Sequence, residues 1–312
     1  MNEPSQGASS FTKRNYREKI AVLQSACQWL NLPSGRAHDY QRLMKEFWEG
    51  RLREKEHIFV HNEAYEIVDL YELWKDRADE FPGLKDKIAA VAGGGPVLTE
   101  YERASTSSNR PRNDAFVYLV AGELIQAGIN VLAVDDVVRD GVTGHIGGDI
   151  TFDWDTRRVD VQCKRPQSGK AFVARIRDAR HQIEVVGEQI TGGIIAVDFS
   201  AFIRPTGKLI EMASSEAALD VCRKQLEQWI PIATRELRPS ILGYIFYARV
   251  PAMIVIRESQ VLAINGRPYK EYRPDSITTE NLIANSDCHA PNILPAVYER
   301  LRVALSSPLQ PI

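Results

Sequence analysis

The chain holds few cysteines: Cys27, Cys163, Cys222 and Cys288 in 312 residues. They lie far apart and form no Cys-x-x-Cys pair, which argues against a zinc ribbon or a disulfide framework and predicts four reduced thiols. No run reaches the roughly 18 consecutive apolar residues of a membrane span. Residues 1–11 are polar and lack the apolar core of a secretory signal. A cytoplasmic protein with no membrane partner is expected. Charge of one sign is missing too: 39 lysines and arginines stand against 41 aspartates and glutamates, a net charge of -2. No overall basic field draws nucleic acid, so any such binding needs a local patch. Gly93–Pro96 is not followed by Gly-Lys-Ser/Thr, which argues against a phosphate-binding loop of the nucleotide-hydrolysing kind. There is no serine nucleophile elbow.

What is present is 44% hydrophobic content, enough for one large domain or two ordinary ones. The first part reads as helical, with apolar residues at helical spacing over 16–30 and a stop at 31–35. Further helices are expected over 39–54 and 63–79, the latter ended by Pro82. The basic residues of this part (Lys13, Arg14, Arg17, Lys19, Arg51, Arg53 and Lys55) read as a solvated face. Residues 93–96 and 105–112 look like a hinge and a loop, placing a boundary between a helical domain, 1–96, and an α/β domain, 97–312. His38-Asp39 has no supporting His and Asp elsewhere and reads as an interhelix turn.

Beyond the hinge, 115–127 is a strongly apolar helix closed by Gly128, and 129–134 is a β-branched strand. Two segments, 149–154 and 159–164, then alternate strictly, so successive side chains take opposite faces. Ile150, Phe152 and Trp154 share a face with Val159, Val161 and Cys163 if the strands pair around a tight turn. The other face is polar: Asp149, Thr151 and Asp153, then Asp160, Gln162 and Lys164. A two-residue loop at Thr156-Arg157 sets Asp149 opposite Lys164, Thr151 opposite Gln162 and Asp153 opposite Asp160, with matching faces throughout. The bland alternative is a hairpin whose polar face meets water, with Asp149 and Lys164 as a surface ion pair worth about 0–1 kcal/mol.

Helix, strand, a strand opening on Asp149, a strand ending Gln162-Cys163-Lys164, and then a helix together resemble the core of the PD-(D/E)XK nuclease superfamily. Within it the chain is most similar to the branch of type IV restriction endonucleases and archaeal Holliday-junction resolvases, where Gln-x-Lys sometimes replaces Glu-x-Lys. The similarity covers 113–199. It implies a restriction-endonuclease-like mixed sheet flanked by helices, and phosphodiester hydrolysis with Mg²⁺ or Mn²⁺, in DNA before RNA. Asp149 would bind the ion, since hard ions take carboxylate oxygens. Gln162 and the Cys163 carbonyl would add ligands, and Lys164 would orient water and offset developing charge. Asp160 is an auxiliary carboxylate on the same face. The resemblance further suggests restriction or phage defence, and association as a homodimer or with a partner protein.

Two positions depart from the pattern. Gln162 removes a negative charge, and Val117 stands where the family usually carries a helical glutamate. Asp114, three residues earlier and about 60° around the helix, can reach the same side, with N-capping as its competing role. Glu123 reads as a solvated helix residue. Catalytically degenerate nucleic-acid binding, or a scaffold role in a larger assembly, are therefore alternative functions. A helix over 171–186 bears Arg175 and Arg177, which with Lys170 are candidate phosphate contacts. Gln182 on that helix resembles a site-orienting glutamine of some family members. Asp135-Asp136 reads as surface-loop carboxylates, and His145 sits in a glycine-bounded loop before Asp149. Later segments carry no chemical motif: a central strand over 192–198, a long helix over 214–236, strands over 241–250 and 252–256, a hairpin at Asn265-Gly266 and a helix over 295–305.

Overall fold

In the computed structural model the chain is described over residues 13–49, 58–93, 110–143, 147–200, 210–212, 215–255, 262–264, 267–269 and 272–306. Four helices come first: α1 (Lys13–Trp29), α2 (Arg36–Trp48), α3 (Ile58–Trp74) and α4 (Leu84–Gly93). The apolar spacing that predicts α1 buries Leu23, Ala26 and Cys27, and the expected stop follows it, with Asn31 in the left-handed region at φ 52°. The next helix, α5 (Arg110–Gln126), starts inside the segment expected to be a loop. It ends as expected: Gly128, at φ 73°, turns the chain so that the Ile129 N–H donates to Leu124 O at 3.0 Å.

The strands are β1 (Asn130–Val134), β2 (Val137–Val138), β3 (Ile150–Trp154), β4 (Arg157–Lys164), β5 (Gly192–Asp198), β6 (Ile210–Met212), β7 (Ile241–Val255), β8 (Leu262–Ile264), β9 (Arg267–Tyr269) and β10 (Tyr272–Ala284). One mixed sheet runs β10-β7-β5-β4-β3-β1-β2, with β6 joined to β7; β8 and β9 pair separately. The pairs β4/β5, β5/β7 and β6/β7 are parallel, and the others are antiparallel. The remaining helices are α6 (Gly169–Val186), α7 (Ser215–Glu227), α8 (Ile230–Arg235) and α9 (Ile293–Ser306). The expected single helix over 214–236 is thus two. Pro231 lies in the first turn of α8 and has no N–H with which to continue α7. Pro251 does not split the expected strands, because β7 runs through it. The Asn265-Gly266 turn lies outside the described residues, though Ile264 pairs with Arg267 on either side of it.

Helices cover both faces of the sheet. Residues of α1–α5 and α9 form one apolar cluster with Ile150, Phe152, Val159, Val161, Ile194 and Ala196. On the other face, Phe172, Ile176, Ala179 and Ile183 of α6 join Cys222, Leu226 and Ala233 against Ile195, Val197, Tyr244 and Phe246. The expected boundary at 96/97 falls in a segment outside the described residues, and the helices on either side of it share the first cluster. The Trp74 indole donates to Tyr118 O at 2.9 Å, and buried Arg112 of α5 pairs with buried Glu63 of α3. No helix among the described residues is long and apolar enough to cross a membrane.

The β3–β4 hairpin keeps the expected faces but slides by two residues. Trp154 pairs with Arg157, Asp153 with Arg158 and Thr151 with Asp160, so the loop is Asp155-Thr156. Asp155 takes the left-handed conformation, φ 55°, that the tight two-residue hairpin turn requires and that aspartate tolerates better than most residues. The slide replaces an Asp153–Asp160 juxtaposition of like charges by Asp153 opposite Arg158, with Nε 3.3 Å from Oδ1. A shift of two preserves the face of every side chain, which is why alternation alone does not fix it. Nor does the polar face meet water: Thr151, Asp160 and Gln162 are buried, and α6 packs beside β4 and β5.

Candidate active site

A cavity of about 520 Å³ opens where the ends of β3 and β4 meet the first turns of α5 and α6. Helix α5 contributes Asn113, Asp114, Val117 and Tyr118, two adjacent pairs four residues apart and so on one helical face. The sheet side contributes Asp135, Asp149 and the run from Cys163 to Gln167. Ala171 and Arg175 of α6 close the rim.

Asp149 and Lys164 line it, and Gln162, which is buried and is not on the wall, meets them from β4. The Lys164 ammonium donates to Oε1 of Gln162 at 2.9 Å and to Oδ2 of Asp149 at 3.3 Å. The same Asp149 oxygen accepts from the Cys163 N–H at 2.7 Å. The Asp149 backbone is held as well, since its carbonyl accepts from the Asp135 N–H at 2.6 Å. Asp135, at φ 56°, and Asp136 form the two-residue turn between β1 and β2, and Lys87 of α4 pairs with both carboxylates. These are turn carboxylates, as expected, yet Asp135 also lines the cavity.

Gly148, just before Asp149, is required by close packing. A Cβ there would stand 2.8 Å from Ile150 O and 2.9 Å from Cβ of Asp160. The Asp160 carboxylate therefore lies behind the strand entry, fully buried, and accepts from Thr151 Oγ at 2.8 Å. It is absent from the cavity wall, contrary to its expected auxiliary place. Asp114 does reach the wall beside Val117, and because α5 begins at Arg110 it is no N-cap. Glu123 is buried rather than solvated, 6% exposed.

Of the basic residues, only Arg175 among the three expected phosphate contacts lines the cavity. Lys170 is exposed on the first turn of α6. Arg177 turns to α8 instead, where its Nε lies 2.9 Å from Oε1 of Glu236, whose other oxygen takes Arg180 at 2.7 Å. Gln182 is exposed, thirteen residues past Gly169 and hence about 20 Å along the helix. His145 lies outside the described residues. His38 and Asp39 lie inside α2 and not in the interhelix turn expected of them, although the His38 Nε2, 2.8 Å from Leu32 O, ties the helix start to that turn.

Alternation gave no sign of Arg165, which follows Lys164 past the end of the strand. Its Nε donates to Oδ2 of Asp198 at 2.6 Å, and both side chains are nearly out of water. The other Asp198 oxygen accepts from the Ser200 N–H at 2.9 Å and from the Ser200 hydroxyl. Burial alone would raise the Asp198 carboxyl, but Arg165 and the two Ser200 hydrogen bonds outweigh it and hold it below the ordinary carboxylate range. The Cys163 thiol is pushed well up by loss of water and then by the Asp149 charge, with Lys164 opposing and Glu123 adding to the rise. A thiol so placed is protonated and inert at neutral pH.

The convergence of Asp149 and Gln162 oxygens on one ammonium is an arrangement that a hard divalent ion also accepts, since Mg²⁺ commonly keeps several waters and takes one or two carboxylates. The donor set is thin: among the described residues no group of three or more His, Cys, Asp or Glu is placed to hold a metal. A site of this kind fits an ion completed by water and by a ligand's own oxygens. No family model, curated protein or solved structure matches the chain.

Proposed function

We propose that the chain is a Mg²⁺- or Mn²⁺-dependent nuclease of the PD-(D/E)XK type that hydrolyses phosphodiesters, in DNA before RNA. The observation that carries this reading is the meeting of Asp149, Gln162 and Lys164 at one end of two paired strands, with Asp149 and Lys164 on the wall of a cavity that Arg175 also lines. The order α5-β1-β2-β3-β4-α6-β5, with β5 parallel to β4, supports it, because apart from the two-residue β2 it follows the succession of helix, strand, two strands and helix on which the resemblance rests.

Asp149, Gln162 and the Cys163 carbonyl would hold the ion, with Asp114 facing them across the cavity. When bound, the ion supplies polarisation of a phosphoryl oxygen and acidification of water. Lys164 keeps its ammonium beside the reacting phosphate, where it orients a water and offsets the negative charge that develops on oxygen. The backbone bond from Cys163 and the Asp135 clamp fix the Asp149 carboxylate and main chain, so little reorganisation is needed. Arg175 and the N-terminal turn of α6 supply positive potential for the phosphate backbone. Restriction or phage defence is the biological setting that this reading suggests.

A second reading is nucleic-acid binding without cleavage. Val117 on the wall and the thin donor set favour it. Incubation with linear, supercoiled and single-stranded DNA and with RNA, in Mg²⁺, Mn²⁺ or EDTA, separates the two. Cleavage that EDTA abolishes supports the nuclease; salt-sensitive binding without cleavage under any of these conditions supports the second reading.

A further inference from the structure

We infer that Lys87 of α4 is a positioning residue of this site: through Asp135 it holds the main chain of Asp149 in place, and so couples the helical part of the chain to the proposed metal ligand. The inference rests on the proposed nuclease reading and deepens it. Asp149 precedes β3, so its main chain lies just beyond the last registered pair of β1 and β3, Val134 with Ile150. One bond extends that ladder, from the Asp135 N–H to Asp149 O at 2.6 Å. A terminal rung is the first to open, because no further pair holds it from outside. The place of the Asp149 main chain therefore depends on the place of Asp135.

Asp135 sits in a turn with little of its own to fix it. Its φ of 56° lies in the left-handed region, which aspartate tolerates but does not prefer. The hairpin that it closes has two registered pairs, and β2 is the edge strand of the sheet. What grips the turn comes from the helices. The Lys87 ammonium donates to Oδ2 of Asp135 at 2.7 Å and pairs with Asp136 as well, so one cation spans both turn residues. Past β2 the chain is tied to the helical part again: the Asp140 N–H donates to Glu80 O at 3.1 Å, and Arg139 pairs with the Glu80 carboxylate. Asp135 also lines the cavity, so the contacts run from α4 through the cavity wall to Asp149. The Lys87 side chain is 29% exposed and its partners more so, which keeps its effect to a few-fold.

Calorimetric titration of the metal-free full chain with Mn²⁺ tests the inference on the wild type, Asp149→Ala, K87M and K87R, each checked for folding by thermal melting. K87M is expected to bind Mn²⁺ about fivefold more weakly, the upper end of what an exposed pair supplies, and K87R to stay within about twofold of the wild type. The sign of the change separates positioning from plain electrostatics. Deleting a cation and releasing the Asp135 carboxylate favours Mn²⁺ by Coulomb attraction alone, and a merely structural tie moves the melting temperature without weakening the ion. Equal or tighter Mn²⁺ binding by K87M overturns the inference, as does a loss in K87R as large as that in K87M; the nuclease reading stands in both cases if Asp149→Ala abolishes the wild-type binding. Mn²⁺ binding that Asp149→Ala leaves intact, or no binding at all, also overturns the inference, and the nuclease reading falls with it if no DNA is cleaved in Mn²⁺ or Mg²⁺. Should K87M fail to fold, K87Q is read in its place by the same outcomes.

Discussion

Lys164 of β4 reaches Asp149 diagonally, Nζ to Oδ2 at 3.3 Å, although the hairpin register places Gln162, not Lys164, across from the residue that precedes Ile150. One ammonium therefore bridges Asp149 and Gln162. Replacing Gln162 by glutamate restores a charge to the oxygen set, and Mn²⁺ affinity measured by calorimetry is expected to rise about tenfold, or about 1.4 kcal/mol. Unchanged or weaker binding would remove Gln162 from the ligand set.

The polar face of this hairpin was legible in the sequence because strict alternation admits only even register shifts, and the site residues survive a slide of two. The like-charge clash of Asp153 with Asp160 was the available signal for the true register. Other features left weaker traces. Strand β10 (Tyr272–Ala284) is mostly polar and carries Pro274, and its strand character comes from a long pairing with β7 that no local pattern announces. The beginning of α5 was hidden by Arg110-Pro-Arg-Asn113, which reads as a loop until buried Arg112 meets Glu63. Arg177 was assigned by neighbourhood in sequence and Arg165 was given no role, because their partners, Glu236 and Asp198, come from distant elements.

Gly148→Ala probes the support beneath Asp149. The added methyl must displace Ile150 O or the Asp160 side chain, and a loss of about 1–3 kcal/mol is expected from overpacking. Urea denaturation measures it, and a midpoint equal to that of the wild type would contradict the packing described.

Arg112 and Glu63 tie α5 to α3 inside the first core cluster. Arg112→Met leaves the Glu63 charge in that core without its arginine, so a loss of about 3–5 kcal/mol is expected. The double variant, with Glu63→Leu added, should recover much of it. A single variant as stable as the wild type would show that the pair carries no such charge burial.

Asp198 gives a pH signature. Its carboxyl lies below the ordinary value in the folded chain, so the stability it contributes is present above the unfolded pKa of about 4 and is lost as pH falls through the folded value. Stability profiles of the wild type and D198N should therefore converge as the pH drops below about 4. A constant gap between them down to the lowest pH at which the chain stays folded would contradict the assigned direction.

The most direct measurement compares metal-dependent DNA cleavage by the wild type with that by folded Asp149→Ala and Lys164→Ala variants. The account predicts cleavage that needs Mg²⁺ or Mn²⁺ and falls by at least about a hundredfold in each variant, a loss of about 2.7 kcal/mol or more in transition-state stabilisation. Cleavage that persists unchanged in both variants would contradict it, because the chemistry would then lie outside the cavity that Asp149 and Lys164 line.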